Sequence, residues 1–97
     1  MDRKNEIQNV IEKLLSCKDA AYIDEIYAKE GSFDRNGQFS NWVGLMVEVP
    51  ANFKNTDLYA VIDDIEDENR NFTLVISVEP NTVERGHGRI LYNKEGK

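Results

Sequence analysis

Between Asp57 and Glu68 stand six carboxylates, Asp57, Asp63, Asp64, Glu66, Asp67 and Glu68, with no lysine or arginine among them. The whole chain carries 18 acidic and 12 basic side chains, so this one segment can supply its entire net charge of −6. Carboxylates at such density could hold a hard cation, act as a paired acid and base, or meet a positively charged protein. Spacing argues against the first. Asp63 to Asn69 lacks the alternating Asp/Asn ligands, the glycine and the distal glutamate of a calcium loop. The second needs a substrate cleft, which a chain of 97 residues can hardly enclose. The third needs only exposure. A solvated hairpin tip, whose like charges discourage edge-to-edge aggregation, would have the same composition.

Two other arrangements could carry chemistry. His87 is the sole histidine and Cys17 the sole cysteine. A Cys-His nucleophile would need a lowered thiol pKa, but Cys17 falls at the end of an expected helix, where the dipole opposes the thiolate. The bland reading is a structural cysteine and a loop histidine. Glu84 to Arg89 places Gly86 and Gly88 around His87, between Arg85 and Arg89. Paired glycines let amides approach an anion, and two guanidiniums can fork onto phosphate. A turn before an edge strand needs the same glycines.

Composition bounds the rest. At 97 residues the chain predicts a single domain with one two-layer core. A sequence pI near 4.7 argues against direct binding to nucleic acid or to an anionic membrane. One cysteine forbids an intrachain disulfide or a cysteine metal cage, and no cofactor is expected. The charged start, Met1 to Glu6, is followed by no apolar leader, and no run approaches a membrane span. These features predict a cytoplasmic protein.

The elements that must position these residues follow from periodicity. Ile7, Val10, Ile11, Leu14 and Leu15 form one apolar stripe and predict a helix ending near Ser16 to Lys18. Ile23, Ile26 and Tyr27 recur at helical spacing, predicting a second helix from about Asp19 to Lys29, ended by Gly31 in the left-handed conformation. Beyond Gly31 the period falls to two. Ser32-Phe33-Asp34 and Gln38-Phe39-Ser40 flank Arg35-Asn36-Gly37, a tight-turn signal. Trp42 to Val49 alternates cleanly as a strand, ended by Pro50. Leu58 to Ile65 reads as a central strand, Phe72 to Glu79 as its antiparallel partner, and Arg89 to Tyr92 as a short edge strand. The connections look too short for parallel crossovers. The expected fold is therefore α+β, an N-terminal helical hairpin packed on one face of a four- to five-stranded antiparallel sheet.

On that frame the acidic end of the central hairpin, Asp63, Asp64, Glu66, Asp67 and Glu68, lies near Tyr59 and Trp42. Aromatic anchors beside a charged rim have the composition of an interface. In size, charge and α+β organisation the chain resembles the small acidic inhibitors and immunity proteins that neutralise nucleases and other nucleic-acid enzymes. The resemblance implies a non-enzymatic binding protein that blocks a basic site on its partner. The rival readings are a small-ligand or anion-binding module, or an enzyme, built on Glu84 to Arg89. A second copy of the chain could also pair through the edge strand near Ile90.

Overall fold

Ile7, Val10, Ile11 and Leu14 fall at i, i+3, i+4 and i+7, and a helix, α1, buries all four over Arg3–Leu15. The computed structural model describes residues 3–54, 57–80 and 88–96. After α1 comes a 3-10 turn at Ala20–Tyr22. Strands β1 (Glu25–Lys29) and β2 (Trp42–Val49) follow, then helix α2 (Asp57–Asp67), then β3 (Thr73–Pro80) and β4 (Gly88–Asn93). The strands form one sheet in the order β3-β2-β1-β4. β1 runs antiparallel to both β2 and β4, whereas β2 and β3 are parallel.

The α+β class stands, and three details of the expected architecture are corrected. No helical hairpin forms, because the segment expected as a second helix is β1. Its i, i+3 apolar spacing is real, but both sides of it are buried: Ile26 and Ala28 face the core cluster, and Glu25 and Tyr27 are buried as well. Alternation on two covered faces suits a central strand. Gly31 is left-handed (φ 97°), but it turns the chain out of a strand rather than ending a helix.

The expected central strand, Leu58 to Ile65, is instead α2. Leu58, Ile62 and Ile65 fall at i, i+4 and i+7 and are the buried residues of that helix. A short apolar run fits either period, and here the helical stripe is the one the core accepts. The third correction follows from the second. With α2 helical, residues 50–72 become one connection long enough to return the chain in parallel, so the sheet is mixed.

One sheet face carries the core. Val43, Leu45, Val47, Val49, Ile26, Ala28 and Ile76 pack there against the stripes of α1 and α2. The other face carries Trp42, Gly44, Met46 and Glu48 from β2. A β-carbon on Gly44 would stand 2.7 Å from the Trp42 ring, so that ring lies on the bare backbone of Gly44. The Asn-Gly turn forms as expected. Asp34 Oδ1 accepts the amides of Asn36 (2.8 Å) and Gln38 (3.0 Å), Gly37 takes φ 81°, and Phe33 bridges Phe39.

The buried Asp19 fixes how α2 enters. It is 0% exposed, and its Oδ2 accepts the Leu58 amide at 2.9 Å. Leu58 is in the first turn of α2, where backbone amides lack helical partners, so Asp19 caps α2 from a distant segment. Asp19→Ala leaves that amide buried and unpaired. The expected loss is about 2 kcal/mol, read as a fall in melting temperature of about 10 °C. Gly44→Ala should displace Trp42 and shift its fluorescence emission to longer wavelength, while a stability change beyond about 3 kcal/mol is not expected.

Candidate functional site

Because Leu58, Ile62 and Ile65 face the sheet, the polar residues of α2 must face outward. Tyr59, Asp63 and Asp67 follow one another at i, i+4 spacing and form a single outward stripe, with Asp64 beside it. All four are exposed, Tyr59 to 46%. Among the described residues no lysine or arginine forms an ion pair with Asp63, Asp64 or Asp67.

The other two acids expected at this surface have internal partners. Glu66 Oε2 accepts the Ile76 amide at 2.7 Å and so satisfies a backbone group of edge strand β3. Glu68 meets Lys13 of α1 at 2.5 Å and Arg70 at 3.1 Å. Arg70 Nη1 also donates to the Ile65 carbonyl, putting a cation on the negative end of α2. Trp42 is 39% exposed but stands on the opposite sheet face from α2, so it does not join the acidic stripe.

Two aromatics that sequence reasoning missed do join it. Phe53 lies 6.3 Å from Tyr59 and 5.6 Å from Tyr22, centroid to centroid. Tyr22 is 51% exposed. The three rings come from the 3-10 turn, the loop after β2 and the first turn of α2. Nothing in their separation along the chain links them, since only the docking of α2 brings them together.

Sequence reasoning also missed a buried acidic pair on the other sheet face. Glu25 and Glu48 are register partners, 3% and 5% exposed. Asn93 Nδ2 donates to Glu25 Oε1 at 3.0 Å. With Asp24, Lys94 and Glu95 they line a cleft of about 330 Å³. The alternation that makes Val47 and Val49 core residues also places Glu48 with Met46 and Gly44, which was a readable signal of its face.

Of the rival arrangement, Glu84 to His87 lies outside the described residues, while Gly88 and Arg89 open β4. Cys17 is a half-buried free thiol packed against the core. Ile90 is 47% exposed on β4, an edge strand. Among the described residues no three His, Cys, Asp or Glu side chains converge to hold a metal ion, and no helix is long and apolar enough to cross a membrane. The chain matches no family model, no curated protein and no solved structure.

The Lys13 hydrogen bond holds the Glu68 carboxyl below its ordinary pKa; burial opposes it, and the charges of Lys13 and then Arg70 add to the lowering. A depressed carboxylate contributes stability above its unfolded pKa and loses it as pH falls through the folded value. Both partners are half-exposed, so the contribution is screened. Glu68→Gln should therefore cost less than about 1 kcal/mol at pH 7. Urea titrations should show that difference shrinking to nothing as the pH is lowered through the ordinary glutamate range and below.

Proposed function

We propose that this protein is a non-enzymatic binding protein whose contact surface is the outer face of α2, with the Tyr22–Phe53–Tyr59 aromatics at its N-terminal end. The partner is a protein with a basic surface, and the best-fitting class is one whose own ligand is polyanionic, such as a nuclease or another nucleic-acid enzyme. Binding would occupy the basic site sterically, in the manner of an inhibitor or immunity protein. Opposed charge would accelerate association at low salt.

One observation carries this reading: the acids of α2 are placed where they weaken their own helix. Asp63, Asp64 and Asp67 lie in its C-terminal half, toward the end where the dipole disfavours negative charge. Asp63 and Asp67 also repel each other at i, i+4. Helix stability therefore does not account for them, whereas an external cationic partner would. The exposed tyrosines add the rigid, amphipathic contact area typical of interface anchors.

Two results together test the proposal. Replacing Asp63, Asp64 and Asp67 by asparagine should raise stability by about 0.5–1 kcal/mol, because it removes the dipole and like-charge penalties. The same variant should bind the partner recovered on immobilised wild-type protein at least about 100-fold more weakly, with a flatter salt dependence. Tyr59→Ala should weaken it by a further factor of about 10 or more. Unchanged affinity after reversing the three aspartates to lysine would overturn the assignment.

A further inference from the structure

Three of the chain's 12 cations gather at one cleft. Arg3 and Lys4 lie in the first turn of α1, and Arg89 in edge strand β4. Together with Phe33, Phe39 and Leu91 they line a cleft of about 400 Å³, within the range of small-ligand sites. Among the described residues no acidic side chain lines it, although acids outnumber bases 18 to 12 in the chain. Among the described residues no carboxylate forms an ion pair with Arg3, Lys4 or Arg89. The first turn of a helix disfavours positive charge, so the helix dipole does not account for Arg3 and Lys4 there.

The geometry of the cleft is specific. The Phe33 and Phe39 rings lie 4.4 Å apart, centroid to centroid, with their planes tilted by 32°. The Arg89 guanidinium rests over the Phe33 ring, 3.9 Å from its centroid. Its Nη2 is 4.0 Å from where a β-carbon on Gly37 would stand, which places the head beside the 33–39 turn. Contact with the ring face uses none of its N–H donors, and among the described residues no hydrogen bond occupies them, leaving the fork open for an oxyanion. Arg3 is anchored separately: its Nη1 donates to the Ser40 carbonyl at 2.7 Å and to Asn41 Oδ1 at 3.1 Å.

We propose that this cleft binds a small organic anion, an oxyanion head such as phosphate or carboxylate carried on a flat apolar ring system. The head would meet the Arg89 fork and Lys4, and the ring system would lie against the Phe33–Phe39 pair. The site is independent of the α2 surface and stands or falls without it.

The test uses 1-naphthyl phosphate, followed by calorimetry and by amide NMR shifts around Gly37. It should bind at least about tenfold more tightly than either 1-naphthol or inorganic phosphate, because the cleft reads both parts. Arg89→Ala should lower the affinity for 1-naphthyl phosphate at least about tenfold. Arg89→Lys, which keeps the charge but loses the fork, should fall between them. Lys18→Ala removes one positive charge elsewhere and should leave the affinity unchanged. Arg89 is exposed, so its variants should keep the wild-type melting temperature within a few degrees. Equal binding of 1-naphthol and its phosphate overturns the proposal. So does a folded Arg89→Ala variant that binds like wild type, or no saturable binding at millimolar probe.

Discussion

The burial of one stripe on α2 governs most of this structure. Leu58, Ile62 and Ile65 are almost wholly withdrawn from water, each contributing roughly 2 kcal/mol of hydrophobic stabilisation. Placing that stripe on the sheet brings the chain back alongside β2 in parallel rather than in a hairpin. It also sets the polar bonds that fasten the helix. Asp19 holds its first turn, Arg70 holds its last, and Glu66 reaches across to the edge of β3. Each of these groups comes from or reaches a different segment, so the docking of α2 is also what closes the fold.

The same constraint creates the acidic surface. Once the apolar residues of an 11-residue helix point inward, its aspartates have nowhere to go but out. The number of acids that remain available is smaller than the count along the chain. Glu66 and Glu68 are committed to backbone and ion-pair contacts, leaving Asp63, Asp64 and Asp67 as the exterior charge of the helix's C-terminal half, with Asp57 in its first turn. These three work against the helix dipole, and a partner's field would offset that cost. Against a cationic partner, as proposed, a surface of this kind would favour fast, salt-sensitive association more than raw affinity, and the neighbouring tyrosines would supply the apolar contact.

A net charge of −6 conceals a separation of charge. The outer face of α2 is acidic, while the cleft between the start of α1, the 33–39 turn and β4 is cationic and aromatic. Two surfaces of opposite sign coexist on so small a chain because they are built on different elements. The buried Glu25–Glu48 pair shows the same point at shorter range, since only strand pairing brings those two carboxylates face to face.

Elements governed by an unambiguous period were legible from residues alone. α1 follows from its apolar stripe, Ile7 to Leu15, β2 from strict alternation over Trp42–Val49, and the Phe33–Phe39 turn from Asn36-Gly37. β3 and β4 fall within a residue or so of their expected positions. The acidic composition of the 57–68 segment was equally plain. Its geometry was not, because Leu58 to Ile62 is apolar enough to satisfy either a two-residue or a 3.6-residue period. Local sequence leaves those two states close in energy. The choice is made by which stripe the rest of the core can cover, a property of the assembled sheet. The parallel pair and the clustering of Tyr59 with Phe53 and Tyr22 depended on that choice, while the meeting of Arg89 with Phe33 depended on the pairing of β4 with β1. Those residues are distant in sequence and share no periodicity, so only strand pairing and the docking of helix on sheet could bring them together.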